Sequence, residues 1–184
     1  IMITIDGGTG IITSNNRLQL PANSGGSGNI IQVVQNVING TRAEVVSSTY
    51  VATDKSVTIT PKIASSKILL SFSEDVNTNG TNARLYVTIY RSIASGTFAN
   101  IAPVGSNQTV GANDNSGFIG EVRADNSRMQ VPFSTSYLDS PTYSVGQAIE
   151  YKLYIKSANT STNVEMPSSS NAQPIIAMAM EIAA

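Results

Sequence analysis

The chain has 184 residues, a formal net charge of −1, only 12% charged residues, and no His, Cys or Trp. Without His there is no Ser-His-Asp machinery, and without Cys there is no disulfide, thiolate nucleophile or structural zinc site. Eleven basic residues against twelve acidic ones argue against nucleic-acid binding, and no apolar run approaches the roughly 20 residues that span a bilayer.

The N-terminus, Ile1-Met2-Ile3-Thr4-Ile5-Asp6, lacks the basic n-region and apolar h-region of a signal peptide. Ile3-Thr4-Ile5 and Ile11-Ile12-Thr13 read as short strands around Asp6-Gly7-Gly8-Thr9-Gly10, whose glycines supply the positive φ of a tight hairpin. Arg17-Leu18-Gln19-Leu20 then leads into Pro21-Ala22-Asn23-Ser24-Gly25-Gly26-Ser27-Gly28, a flexible linker by composition. Residues 1–29 are therefore expected to attach the chain to something else, through Ile3, Ile5, Ile11, Ile12, Leu18 and Leu20.

From Ile30 onward short strands alternate with turns. Ile30-Ile31-Gln32-Val33-Val34-Gln35 is β-branched and precedes the hairpin signal Asn39-Gly40. Ser56 to Thr60 alternates and stops at Pro61, and Lys67 to Ser73 follows. Over 84–91, Leu85, Val87 and Ile89 lie opposite Arg84, Tyr86, Thr88 and Tyr90. Met129, Val131, Phe133, Thr135 and Tyr137 mark another period-two strand, as do Ile149, Tyr151, Leu153 and Ile155 opposite Glu150, Lys152, Tyr154 and Lys156.

The last strand, 174–182, is largely apolar on both faces: Ile176, Met178, Met180 and Ile182 on one, Ile175, Ala177, Ala179 and Glu181 on the other. Either Ala177 and Ala179 face a neighbouring subunit, or this is a central strand covered by the same chain. The Asn/Gly/Ser stretches 76–83, 104–117 and 157–173 read as loops. No segment sustains a 3.6-residue period, so the fold class is all-β, an antiparallel sandwich of jelly-roll-like type over residues 30–184. Ser, Thr and Asn supply about 58 residues, so its surface is covered by hydroxyls and amides rather than ions.

The order of segments resembles a module of bacteriophage tail fibres and other virion appendages of the marine and cyanobacterial phage type. The likeness lies in Ile30–Gln35, Ile59-Thr60-Pro61 followed by Ser65-Ser66-Lys67-Ile68-Leu69, Leu85 to Arg91, Leu138-Asp139-Ser140-Pro141, Tyr151-Lys152-Leu153 and Ala177-Met178-Ala179-Met180-Glu181-Ile182. Ile3-Thr4-Ile5-Asp6-Gly7-Gly8-Thr9-Gly10 is similar to the opening of short phage structural proteins. The resemblance implies a homotrimeric β-rich knob joined through its N-terminal segment to other virion proteins and exposed on the particle. It carries no catalytic residues and no cofactor. Residues 92–128 depart from it as a Gly/Asn-rich insert.

Arg84, Tyr86 and Tyr90 are residue types that dominate interface hot spots, and they are expected to contact a sister subunit or a host-surface glycan, the alternative being ordinary surface or core. The carboxylates, including the adjacent Glu74-Asp75 and the pair Glu121 and Asp125, are expected to be solvated surface charges rather than a glycosidase pair. Asn113-Asp114-Asn115 and Asp125-Asn126 offer calcium-type oxygens but lack EF-hand spacing, so no metal is expected. Four Asn-x-Ser/Thr sequons, at Asn39, Asn79, Asn107 and Asn159, are what so Asn- and Thr-rich a chain produces by chance. The expectation is a non-enzymatic virion fibre or appendage subunit. The alternatives are a capsid-attached fibre or decoration protein, a free-standing carbohydrate-binding module, and a small glycosidase acting through carboxylates.

Overall fold

A computed structural model describes residues 12–14, 17–19, 28–38, 42–102, 119–124, 128–158, 160–166 and 175–184. Among them the regular structure is entirely strand, paired antiparallel throughout. β1 (Ile12–Ser14) and β2 (Arg17–Gln19) pair with each other in a two-stranded sheet. The other eleven are β3 (Ile30–Ile38), β4 (Ala43–Val45), β5 (Val51–Ile59), β6 (Lys67–Asn79), β7 (Ala83–Ile93), β8 (Ala99–Asn100), β9 (Ile119–Ala124), β10 (Met129–Asp139), β11 (Ile149–Ser157), β12 (Asn163–Met166) and β13 (Ile175–Ile182).

They form two sheets. In the first, β6 is the spine: β10 runs along one edge over Ile68–Thr78, while β13 and then β12 share the other, and β3 and β4 lie outside those two. The second sheet runs β5, β11, β7, with β9 and β8 sharing the far edge of β7. The chain passes repeatedly between sheets, and the first long strand, β3, lies beside the last, β13.

Alternation decides which side chains meet. Ile68, Leu70, Phe72 and Val76 of β6 face Leu85, Val87 and Ile89 of β7 and Ile149, Tyr151, Leu153 and Ile155 of β11, all in one buried core. At roughly 25 cal/mol per Å² of apolar area, such burial is the main favourable contribution to folding. The seam between the edge strands β3 and β5 is closed by side-chain amides: Gln32 Nε2 donates to the Thr60 carbonyl at 2.8 Å and Asn36 Nδ2 to that of Ser56 at 2.9 Å.

Several expectations need correction. The stretch 76–83 is not all loop, because β6 continues to Asn79, held by β10 on one edge and β12 on the other. β12 itself falls inside the expected loop 157–173. Among the described residues four carboxylates, Glu74, Asp139, Glu165 and Glu181, are buried rather than solvated. Ala177 and Ala179 are fully buried in the inter-sheet core, so the same chain covers them and they are not a subunit contact. The tight hairpin expected at residues 6–10 lies outside the described residues; β1 pairs with Arg17–Gln19.

Candidate functional site

The outer face of the second sheet carries the expected contact residues and places them in a larger group. Direct partners across antiparallel strands share a face, and here Tyr86 is opposite Lys156, Thr88 opposite Tyr154, and Tyr90 opposite Lys152. Tyr90 and Tyr154 stack with centroids 3.9 Å apart and planes 21° from parallel. Tyr50, just before β5, meets Tyr90 edge-on at 6.2 Å, and Phe98 meets Tyr154 at 6.1 Å. Lys152 Nζ sits 4.7 Å from the Phe98 centroid; Lys156 Nζ sits 4.8 Å from that of Tyr50 and 5.2 Å from that of Tyr86. Five of the chain's eleven aromatics, with two lysines, thus form one ladder across β5, β11 and β7.

This arrangement constrains its chemistry. A sugar platform needs ring faces open to solvent, whereas Tyr90 and Tyr154 spend a face on each other and meet further rings in Tyr50 and Phe98. Tyr86 is only 4% exposed, and Lys156 is likewise buried. Burial, then the neighbouring Tyr154, raises the pKa of the Tyr90 hydroxyl, so it stays neutral. Arg84 and Tyr90 are half-buried on the same face. The sequence expectation missed Tyr50, Phe98, Tyr154, Lys152 and Lys156. The polar alternation over 149–156 was the only signal for Lys152, Tyr154 and Lys156, and the β7–β11 register that brings these three to Tyr86 and Tyr90 is a long-range fact; Tyr50 and Phe98 had no such signal.

The outer face of the first sheet is different. Register places Val37 beside Ile176, Gln35 beside Met178, and Val33 beside Met180. Val33 is 53% exposed, Val37 51% and Ile176 43%. Beyond them the same face of β6 and β10 carries Ser71, Ser73, Ser134 and Ser136. The row Val33 and Met180 continues into Leu69 and the exposed Leu138, so an aliphatic strip flanks the four serines rather than stopping at them. Of the expected attachment residues, Ile12 and Leu18 fall on β1 and β2; Ile3, Ile5, Ile11 and Leu20 lie outside the described residues.

The buried carboxylates are held structurally. Asp139 accepts both of its charge-assisted bonds from Arg91 Nη1, at 2.9 and 2.8 Å, and a further one from the Tyr151 hydroxyl at 2.8 Å. Glu44 and Glu165 are neighbours across β4 and β12, but Arg42 bridges them at 2.8 and 3.1 Å, and Asn163 and Asn77 donate to them as well. Two carboxylates neutralised in this way are not a glycosidase pair, which needs one proton held ready over a cleft. Glu74 does hold a proton: burial, opposed by Lys55 and reinforced by Asp75 and Asp54, pushes its pKa up to about 9. It points, however, at the sandwich interior beside Phe133. Among the described residues no group of three or more acidic side chains is gathered to hold a metal ion. Asn113-Asp114-Asn115, Asp125-Asn126 and the side chain of Glu121 lie outside what is described.

The fold and these faces define an all-β antiparallel sandwich whose distinctive chemistry lies on its outer surfaces. No protein-family model matches the sequence, and no curated protein is significantly similar to it. Among solved structures, that of the infectious bursal disease virus Gx strain matches with a TM-score of 0.33 and 16% identity, over all of this chain and 42% of that one. The infectious bursal disease virus VP2 subviral particle matches with a TM-score of 0.31 and 17% identity, over all of this chain and 43% of that one. The chain spans less than half the length of these structures.

Proposed function

We propose that this chain is a non-catalytic structural protein of a virus particle, a fibre or appendage subunit that presents its sandwich at the particle surface. The observation that carries the reading is the exposed aliphatic strip Val33, Val37 and Ile176 on the outer face of the first sheet, continued across it by Leu138. A contiguous exposed apolar patch marks an interaction site, and here it marks assembly. The strand order supports the reading. Taking long strands only, β3-β13-β6-β10 faces β5-β11-β7 with β8 and β9, which supports reading the sandwich as jelly-roll-like, an architecture of capsid and lectin domains. The resemblance to phage appendage modules adds a homotrimer, with residues 1–29 joining it to other virion proteins. A capsid-attached fibre or decoration protein belongs to the same class. Weak contacts to a host surface would then be multiplied by the copies on each particle.

The test is the mass in solution. Analytical ultracentrifugation at micromolar concentration should give three times the chain mass, and Val33→Asp with Ile176→Asp should lower it to one. A wild-type chain that stays monomeric removes the trimer and the role assigned to the strip.

A further inference from the structure

At one end of the sandwich the β5–β6 and β10–β11 connections enclose an open pocket of about 260 Å³, lined by Ser65, Ser66, Lys67, Ser140, Pro141, Thr142 and Tyr143. We propose that this pocket binds the terminal residue of an acidic saccharide, a sugar ring bearing a carboxylate. The inference does not depend on the trimer or on the virion reading.

The walls are rigid. Tyr143 donates to the Ile63 carbonyl at 2.6 Å and so ties one loop to the other. Beneath them the buried Glu181 carboxylate accepts from the Lys62 and Ile63 amides and from Ser66 Oγ, at 2.9 to 3.0 Å. Asp139, which precedes Ser140, is fixed by Arg91 and Tyr151. A pocket on loops locked to a sheet loses little entropy when it binds.

Its open surface is chemically specific. The Ser66 hydroxyl is engaged with Glu181 and the Ile63 carbonyl, but Ser65, Ser140 and Thr142 are exposed. No hydrogen bond engages those three hydroxyls among the described residues. Each can both donate and accept, which suits the hydroxyls of a sugar. Ser65 is held at φ 64°, a left-handed conformation that is unfavourable for a non-glycine residue and is often retained where binding needs it.

Lys67 supplies the only charge in the lining, it is exposed, and no ion pair engages it among the described residues. Asp139 is paired with Arg91, and the charge of Glu181, hydrogen-bonded to neutral donors only, is outnumbered by Lys67 and the exposed Lys62 close to it in sequence. The site therefore favours one negative charge. Pro141 and the Tyr143 ring give an apolar wall for a sugar's C–H face. The volume lies just below the roughly 300–1,000 Å³ of pockets for drug-sized ligands, which suits a single ring.

The experiment is an amide-resolved NMR titration of the full chain with methyl glucuronide, using methyl glucoside and acetate as separate arms. Methyl glucuronide should shift the amides of Ser65, Ser66, Lys67, Ser140, Thr142 and Tyr143 with a millimolar Kd. Methyl glucoside should bind roughly tenfold more weakly, the cost of one lost charge-assisted contact. Lys67→Gln should weaken methyl glucuronide by a similar factor. Ser140→Phe, which fills the pocket from an exposed position, should abolish the shifts while leaving the rest of the spectrum unchanged. Shifts that are absent, that map elsewhere, that acetate alone reproduces, or that persist unaltered in Lys67→Gln overturn the proposal.

Discussion

Gln32 Nε2 on β3 donates to Glu181 Oε2 on β13 at 2.7 Å, joining neighbouring strands through a carboxylate that is itself fully buried. The same carboxylate accepts from the Lys62 and Ile63 amides and from Ser66 Oγ. Burial alone would disfavour its charge, but these donors outweigh burial and leave its pKa below the ordinary 4.5. The contact thus links the edge of the first sheet to the β5–β6 loop, and the loop to the pocket above it.

Removing that acceptor should be expensive. Glu181→Ala leaves several buried donors unsatisfied and should lower stability by about 3–5 kcal/mol, or roughly 6–20 °C in Tm, by thermal denaturation. Because the folded carboxyl is the stronger acid, the unfolded chain binds more protons in acid. The stabilisation is present above about pH 4.5 and is lost as the pH falls through the folded pKa. Glu181→Gln should flatten this acid limb; an unchanged limb would mean that another carboxylate sets it.

Glu74 should behave in the opposite sense. Its pKa is raised to about 9, and neither carboxylate oxygen has a hydrogen-bond partner among the described residues. The folded chain therefore holds a proton that the unfolded chain releases above about pH 4.5, so this group's contribution falls steadily as the pH rises towards 9. Glu74→Gln removes the titration and should raise stability at pH 8 by about 1–3 kcal/mol in urea melts, with little gain at pH 5. Equal gains at both pH values would contradict a protonated Glu74.

These two glutamates show where the sequence was legible and where it was not. Strict alternation located β7, β10, β11 and the second half of β5, because half-buried strands write their burial into every second residue. Glu74 and Glu181 break that code: both occupy core-facing positions, and what makes a charge tolerable at Glu181 is Lys62, Ile63 and Ser66, more than a hundred residues away. The extension of β6 through Asn77, Thr78 and Asn79 was hidden for the same reason, since polar residues in a strand are supported by β10 and β12 rather than by local propensity. The aromatic ladder was half visible. Tyr86 and Tyr90 stood out on one strand, but only the β7–β11 register explains why their faces are occupied.

The Tyr90–Tyr154 stack should be measurable as a coupling. Each ring replaced by Leu removes the stack while keeping apolar cover, and the double-mutant cycle should give about 0.5–1.5 kcal/mol. A coupling near zero would mean that the rings are merely adjacent.

The turn after β7 carries a local cost that can be relieved. Ala94 and Ser95 have φ of 50° and 59°, and the Gly96 amide returns to the Ile93 carbonyl at 2.9 Å, the pattern of a type I′ turn. Asn-Gly suits those two positions, so Ala94→Asn with Ser95→Gly should raise the unfolding midpoint by the equivalent of about 1 kcal/mol. A loss of stability would show that these side chains make contacts that outweigh the strain.

Neighbouring residues on β13 separate folding from assembly. Ala177 is fully buried against the inter-sheet core, while Ile176 points outward beside Val37 and is 43% exposed. Ala177→Leu overfills a packed interior and should cost about 1–3 kcal/mol in denaturant, whatever the state of association. Ile176→Asp removes no core contact and should change the stability of the isolated chain by less than about 0.5 kcal/mol. Its effect should appear in sedimentation instead, because a buried carboxylate is costly once a second copy covers the strip. If Ile176→Asp destabilises the monomer as much as Ala177→Leu does, the strip is covered within the chain itself, and the assembly surface must be sought on another face.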